Sequence, residues 1–396
     1  MRVLLVALAV VSVLTLPLEA QRNRREPRRP RLSSTADTND VNAYLNHGAR
    51  TVEDNATTAA EAYYWAMRLD PGNADALYGL RTARLMQRQS VFLRYMQGDE
   101  RTVFSDEMQS NDSLYFKALQ LDPFLHERHA RTVLFNYYRK AIASGINQGE
   151  IDHYVNQRLD ASPPSTRARM AAAQGQVVLA DQLYSEAIGQ ARNPSYLYIE
   201  RGRLNAISGR IDEAVFDFTS ALERLSRDEE KKERQVIFYS SKALHEHSLG
   251  LLYARKGDAE KAREAFGRAM TEDLSFHPAH VELSRLALAA KDTVTALSEM
   301  ALAVELAPAD AFVHFLQGEL LLQVGQAAEA MEPLKKAIDL EPYYAAPQFA
   351  LAAALEKSGD TAAAKAAYEK FLAMAARRHP QRQAATTRLR AIGGGQ

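Results

Sequence analysis

One short motif recurs at a fixed interval, and this interval constrains the fold more than any other feature of the sequence. A glycine is followed five residues later by an alanine at five places, which begin at Gly175, Gly209, Gly257, Gly325 and Gly359. The step from Gly175 to Gly209 is as long as the step from Gly325 to Gly359, and the step from Gly257 to Gly325 is twice as long. A repeat of this kind predicts a stack of similar units, each of which packs only on its neighbours.

Other positions keep the same phase as the glycines. The copy missing between Gly257 and Gly325 begins at Lys291, where lysine replaces glycine. Four residues after each alanine stands a large apolar residue: Tyr184, Phe218, Phe266, Met300, Leu334 and Tyr368. Seven residues before the glycine most copies have a small residue: Gly202, Gly250, Ser284, Gly318 and Ala352. Glycine, serine and alanine remove side-chain bulk, which is what a close approach of two helices requires.

Local signals mark where the helices begin and end. Glycine between the two helices of a unit permits the turn, and Asp258, Asp292 and Asp360 stand where they are able to cap the second helix. Pro308 and Pro342 close two units, since proline disfavours further helix. Pro333 falls inside a second helix, where it is expected to kink the helix or to cost about 3 kcal/mol.

This pattern resembles the tetratricopeptide repeat, a helix-turn-helix unit of about 34 residues. The resemblance implies an all-α fold: a right-handed superhelical solenoid of about eight or nine antiparallel helix pairs plus a C-terminal cap helix. In the register set by the glycines the clear repeats are 161–194, 195–228, 243–276, 277–310, 311–344 and 345–378.

The remaining segments follow from this register. Residues 40–160 are interpreted as divergent N-terminal helix pairs with an insertion near 86–109, because Ala59, Tyr63, Ala66 and Pro71 keep the repeat spacing. The segment 229–242 interrupts the period between the helix pairs of 161–228 and the four pairs of 243–378. Residues 379–396 are predicted to be a capping helix and tail, which would cover the last apolar face.

The N-terminus has the pattern of an export signal. Arg2 precedes an apolar run from Val3 to Leu16, and residues 1–20 are predicted to be a signal peptide cleaved before Gln21. This predicts a periplasmic or secreted protein. The following arginine-rich linker, 21–39, is expected to be disordered. Because such an arginine cluster favours the cytoplasmic side, an uncleaved inner-membrane anchor through residues 3–20 is the alternative.

Composition and motifs favour binding over catalysis. The chain has no cysteine, which excludes disulfides and thiolate metal sites, and its formal net charge is zero, which gives no general attraction to nucleic acid. His245, His247, His277 and His280 lie in adjacent repeats but lack the pattern of a metal site. Helix pairs account for almost all residues after 40. The sequence therefore predicts no enzyme activity, cofactor, metal or nucleic-acid partner.

The resemblance also implies a binding surface, because first helices of such repeats line a concave groove. The groove residues carried over onto this chain are Tyr196, Ile199, Glu200, Arg203, His247, Leu251, Arg255, Glu282, Arg285, Phe312, Phe315, Glu319 and Phe349. The expected function is a scaffold that binds a protein or peptide partner there. A carbohydrate- or small-ligand-binding envelope component and a membrane-anchored assembly factor are the alternatives, and the oligomeric state is left open.

Overall fold

The computed structural model describes residues 26–88, 106–125, 161–230 and 241–393, and every regular element in these ranges is a helix. The N-terminal ranges hold α1 (Val41–Thr51), α2 (Ala56–Leu69), α3 (Ala74–Gln87) and α4 (Asp106–Leu121). The range 161–230 holds α5 (Pro164–Ala173), α6 (Val177–Gln190), α7 (Ser195–Ile207) and α8 (Ile211–Glu230). The last range holds α9 (Lys242–Arg255), α10 (Ala259–Glu272), α11 (His277–Ala289), α12 (Thr293–Leu306), α13 (Ala311–Gln323), α14 (Ala327–Leu340), α15 (Ala346–Lys357), α16 (Thr361–Met374) and α17 (Arg382–Gly393).

Neighbouring helices pack in pairs, and each pair packs on the next. From α5 to α16 the first and second helices of every predicted repeat are in contact, and each second helix also contacts the first helix that follows it. Helix α17 closes the last pair, where Arg382 donates hydrogen bonds to the carbonyl oxygens of Leu372 and Ala375 at 2.7 and 3.1 Å. The predicted all-α solenoid with a terminal cap helix is confirmed.

The small residues of the repeat lie directly against the large ones of the same helix pair. A Cβ atom placed on Gly250 would overlap the ring of Phe266, and one on Gly318 would overlap Leu334. In the copy that has serine instead, Ser284 Oγ donates a 2.8 Å hydrogen bond to the Ala296 carbonyl oxygen. The missing bulk therefore sets the spacing within a pair, because helices this close leave no room for a side chain.

The turns and caps follow the sequence signals. Lys291 adopts a φ of 62°, in the left-handed region that the five turn glycines also occupy. Glycine adopts this region without the steric cost that a Cβ atom brings. Asp258, Asp292 and Asp360 accept hydrogen bonds from the backbone N–H groups three residues ahead, at 3.1, 3.0 and 3.0 Å, as capping residues do. Helix α14 runs from Ala327 to Leu340 through the buried Pro333 without ending there.

The segment before α1 differs from the expected disordered linker. Residues 26–39 have turns and irregular backbone, but they contact helix α2 and the segment between α16 and α17. The Pro27 carbonyl oxygen accepts a 3.1 Å hydrogen bond from Trp65 Nε1, and Asp37 accepts a 2.5 Å hydrogen bond from the backbone N–H of Arg377. The low hydrophobicity of this segment misled the prediction, because its contacts are hydrogen bonds and ring contacts with residues distant in sequence.

Several sequence interpretations concern residues outside the described ranges. These are the signal peptide and anchor in 1–20, the arginines before residue 26, and the weak helix pair at 126–160. Residues 89–105 of the first insertion, 231–240 of the second and 394–396 of the tail also lie outside them.

Candidate functional site

The N-terminal helices lie against the face that the first helices of the later repeats form. We call residues 26–88 and 106–125 the N-terminal module, and α7, α9, α11, α13 and α15 the first-helix face. Lys117 pairs with Asp310 at the start of α13 at 3.0 Å, and Arg68 pairs with Glu341 before α15 at 2.5 Å. A Cβ atom on Gly72 would lie 2.6 Å from Phe312. The module thus occupies a surface that the sequence analysis assigned to a partner.

Four of the groove residues proposed from the sequence are buried in this arrangement. Ile199, Glu200, Arg203 and His247 retain between 1 and 4% of their surface. Residues of the module and of neighbouring helices cover these four side chains, so they do not line an open groove in the structure, and their role in partner binding stays a prediction. Repeat spacing identifies which residues face inward, but it carries no information about a distant segment that fills the face.

The remaining groove residues keep some access to solvent. Tyr196, Arg255 and Arg285 are exposed, whereas Leu251, Glu282, Phe312, Phe315, Glu319 and Phe349 are half-buried. The fully exposed groove residues are therefore one tyrosine and two arginines.

The end of α4 makes the deepest contact with the face. Phe124 is 1% exposed and packs among Ile199, Phe218 and Leu252, while Leu125 packs beside Leu244. Arg203 Nε donates a 3.1 Å hydrogen bond to the Pro123 carbonyl oxygen, and the Arg255 guanidinium lies 4.5 Å from the centre of the Phe124 ring. An aromatic side chain and a backbone carbonyl are thus contacted by two arginines of α7 and α9, one of them through a cation–π interaction.

Arg203 is held in place by a buried ion pair. Its Nη1 donates a 2.7 Å hydrogen bond to Glu200 Oε1, three residues earlier on the same helix. The pair lies in the interior, where both side chains are almost fully buried. Buried charges require partners, and the Pro123 carbonyl supplies one more.

His247 is a buried neutral histidine. Its ring lies 5.5 Å from the Phe266 ring and 5.4 Å from the Phe276 ring, and neither ring nitrogen has a hydrogen-bond partner within the described part of the chain. Burial, with a smaller contribution from nearby positive charge, lowers the pKa of His247 to about 3, because a desolvated site disfavours the charged ring. At neutral pH the uncharged ring packs against Phe266 and Phe276. Protonation of the buried ring would destabilise the folded chain.

The aromatic residues near the C-terminal end form two separate clusters. The rings of Phe312 and Phe315 are 6.5 Å apart, and Phe315 is 5.3 Å from Tyr344. Phe349 instead packs on Tyr368 and Phe371 inside the last helix pair, at 5.7 and 5.3 Å. Phe349 therefore packs in the core of the last helix pair, apart from Phe312 and Phe315.

Two carboxylates on the face are partly desolvated. Burial raises the pKa of Glu282, although Arg285 at 2.5 Å opposes the shift. Burial raises the pKa of Glu319 as well, and among the described residues it has no hydrogen bond or ion pair. A donor from a partner would therefore be favourable at Glu319.

An aromatic and charged cluster, which we call the latch, joins the module to the C-terminal repeats. Trp65, the only tryptophan of the chain, lies 5.0 Å from the Tyr343 ring, and the Arg29 guanidinium lies 4.2 Å from the Trp65 ring. Arg68 bonds to Glu341 and, at 2.6 Å, to Glu26. Sequence reasoning missed the latch, because no repeat position marks residues that meet from opposite ends of the helix array.

A separate polar cleft of about 440 Å³ opens between α6, α7 and α8. At its base Arg201 bonds to both carboxylate oxygens of Asp217, and Asn205 Nδ2 donates to Asp217 at 2.8 Å. Burial raises the pKa of Asp217, and Arg201 opposes the shift. These side chains satisfy one another, so the cleft has no free buried polar atom from this network.

The described residues contain no cluster of three or more histidine, aspartate or glutamate side chains arranged to hold a metal ion. Among the same residues, no helix combines the length and hydrophobicity needed to cross a bilayer.

Comparison with known proteins gives a family-model match over two segments and several structural neighbours. A family model described as the tetratricopeptide repeat matches residues 247–275 and 345–377. No curated protein sequence matches the chain. These two matched segments coincide with α9–α10 and α15–α16, two of the helix pairs that the glycine spacing defined.

Three solved structures illustrate what the chain is similar to. YrrB, described as a tetratricopeptide protein with an unusual peptide-binding site, is 18% identical, covers 52% of this chain and 96% of its own, and has a TM-score of 0.39. The C-terminal part of a repeat protein from Cytophaga hutchinsonii is 16% identical over 52% of this chain and 78% of its own, with a TM-score of 0.43. MamA from Desulfovibrio magneticus is 21% identical over 46% of this chain and 94% of its own, with a TM-score of 0.37. The family match shows that two helix pairs of this chain are similar to tetratricopeptide repeats, and the helix pairs between them are stacked in the same way.

Proposed function

We propose that the chain is a non-catalytic scaffold that binds a protein or peptide partner on the first-helix face. The observation that carries the proposal is the composition of this face: exposed Arg255 and Arg285, half-buried Phe315 and the desolvated Glu319 lie on consecutive first helices. A protein segment would satisfy such a mixture of apolar and charged groups along its length. Proteins built from tetratricopeptide repeats are typically interaction scaffolds, which agrees with this function.

Capture of a partner tests the proposal. The full chain, tagged at its C-terminus, is used to capture proteins from an envelope extract, and the bound proteins are quantified by mass spectrometry. The double variant Arg255→Ala, Arg285→Ala should lose most of the captured partner, because both side chains lie on the first-helix face. Arg263→Ala on α10 changes an exposed arginine of a second helix and serves as the matched control.

Two results would contradict the scaffold. The double variant could retain the same partner at the same level as the Arg263→Ala control, which would move the site elsewhere. The wild-type chain could instead capture only the proteins found with an unrelated tagged helical protein, which would remove the partner altogether.

The proposed place of action is the periplasm or the extracellular space, after cleavage before Gln21. The apolar run of residues 3–16 between Arg2 and Ala20 supports this proposal. The mass of the purified N-terminal peptide decides between this and the anchored alternative. A mature chain that begins at Gln21 supports export, whereas a chain that retains residues 3–20 supports the anchor.

A further inference from the structure

The segment Asp122–Leu125 packs on the face between α7 and α9. It follows α4 and presents a proline carbonyl, an aromatic ring and a leucine in sequence. All three contact the first-helix face: the carbonyl meets Arg203, the ring meets Arg255 and the leucine packs beside Leu244. Phe124 and Leu125 are 1 and 4% exposed, so the contacts exclude water.

The local backbone of this segment is self-supporting. Asp122 Oδ1 accepts a 3.1 Å hydrogen bond from the Phe124 N–H, and the Asp122 carbonyl oxygen accepts one from the Leu125 N–H at 3.1 Å. A turn preorganised in this way fixes the directions of the ring and the carbonyl before they contact the face. The same two hydrogen bonds form at Asp70 after α2 and at Asp273 after α10, so the turn does not depend on the first-helix face.

The receiving surface belongs to the repeats and not to the module. Arg203 is oriented by Glu200 at 2.7 Å on its own helix, and Arg255 is exposed at the end of α9. The apolar walls are Ile199 on α7, Phe218 on α8 and Leu252 on α9, all within the repeat stack. Arg203 is therefore held by Glu200 on its own helix and by Tyr115 of α4, in addition to the Pro123 carbonyl.

We propose that this surface of α7, α8 and α9 is a docking surface for a protein segment of the type Asp-Pro-aromatic-aliphatic, and that the chain's own residues 122–125 are its resting occupant. A partner that carries such a segment competes with residues 122–125 for Arg203, Arg255 and the apolar walls. This inference rests on the proposed function, and it names the chemistry of the partner. Because the resident segment is part of the same chain, its effective concentration is on the order of millimolar, and a competitor must exceed that.

A labelled peptide tests the docking chemistry on the full chain. The probe is a fluorescein-labelled synthetic peptide of residues 116–125, and its binding is followed by fluorescence anisotropy. Replacing Phe124 with alanine in the full chain removes the ring of the resident segment, so the peptide should bind Phe124→Ala at least tenfold more tightly than wild type. The same peptide with alanine in place of its Phe124 should bind neither chain measurably.

Two further variants keep the test decisive. Phe124→Leu removes the aromatic ring with less loss of packing, and it replaces Phe124→Ala if that chain unfolds, with an expected tightening of about threefold. Arg255→Gln, added to the Phe124 variant, should weaken the peptide about threefold, because it removes the cation above the ring. Emission from Trp65, which lies outside the surface, reports whether each variant is folded.

The inference and the proposed function fail in different ways. Equal binding of the peptide to wild type and to a folded Phe124 variant, or binding to neither, overturns the docking chemistry. Partner capture from envelope extract would survive that result, if the proposed function is correct. Tight peptide binding without any captured partner would reject the scaffold while leaving the docking surface in place.

Discussion

The regular repeats and the N-terminal module use the same steric device but gain their positions in different ways. In α9 and α10, Gly250 receives the Phe266 ring, and the same interval separates Gly318 from Leu334 in a later pair. In the module the Tyr63 ring lies between Gly48 and Gly79. The module, however, is also held across the first-helix face by contacts such as the ion pair between Lys117 and Asp310. Local spacing determines a helix pair, whereas contacts between distant residues determine where that pair lies.

Acidification should produce the largest effect, and it acts where the two regions meet. His245 and His247 on α9 are buried, and burial lowers both pKa values to about 3. The folded chain therefore binds fewer protons than the unfolded chain, in which a histidine pKa is about 6.5. The stability that these two neutral rings contribute is complete above about pH 6.5 and is lost as pH falls toward about 3.

At pH 5 each of these two histidines should cost about 2 kcal/mol of unfolding free energy. Denaturant melts followed by circular dichroism at pH 7 and pH 5 measure the loss. His247→Phe keeps an aromatic ring between Phe266 and Phe276 and should remove its share of the pH dependence. An unchanged dependence in that variant would show that His247 is accessible to solvent in the folded chain.

Adding one methyl group compares the packing of the two regions directly. Gly250→Ala places a Cβ into the Phe266 ring and should cost about 1–3 kcal/mol. Gly79→Ala places a Cβ into the Tyr63 ring and should cost as much, if the module is packed as tightly.

Gly267→Ala is the matched control, because nothing lies within 4 Å of its added Cβ. There the substitution should stabilise the chain by about 0.5–1 kcal/mol through the helix preference of alanine. Urea denaturation gives all three values. If Gly79→Ala left the unfolding free energy unchanged while Gly250→Ala lowered it, the module would be more loosely packed than the regular repeats.

Weakening the latch should release the module without unfolding the repeats. Glu341→Gln removes the charge that pairs with Arg68 at 2.5 Å, in a site where the side chains are 15 and 22% exposed. The expected loss is about 1 kcal/mol, with a red shift of Trp65 emission as its contact with Tyr343 opens. Glu223→Gln removes a charge from an exposed pair at 61% exposure and should leave the emission unchanged. Identical spectra for both variants would show that the latch does not hold the module.

The smallest effect concerns the one irregular turn of the regular repeats. Lys291 has a φ of 62°. This conformation costs a residue with a side chain about 1 kcal/mol relative to glycine, so Lys291→Gly should raise the unfolding free energy by about that amount. Gly257→Ala, at a φ of 79°, should lower it similarly. Changes of the same sign in thermal melts would contradict the shared turn geometry.

The sequence was sufficient for the features that depend on neighbours in the repeat. The helix pairs from Ser195 onward, the cap residue Asp258 and the turn at Lys291 all follow from residues within one unit. Ile199 and Arg203 lie on the first helix α7, where the register of the repeat placed them.

Sequence reasoning failed where distant residues meet. Burial of Arg203 beneath Pro123 depends on a contact across 80 positions, and the pairing of Arg68 with Glu341 spans 273. No periodic signal encodes such contacts, because each side of the contact belongs to a different part of the repeat array. The contacts of the half-buried Phe349 with Tyr368 and Phe371 were missed for a related reason. A large apolar residue on a first helix faces either the groove or another helix, and spacing alone does not distinguish the two.

The N-terminal module occupies the first-helix face of its own chain, and this placement is open to a direct test. Carbodiimide cross-linking of the full chain, followed by peptide mass spectrometry of the monomer band, tests it without any substitution. We expect an amide link between Lys117 and Asp310, whose charged atoms lie 3.0 Å apart, and its loss in Asp310→Asn. Absence of this link from the monomer, with Lys117 joined only to acids close to it in sequence, would show that the module does not lie on this face.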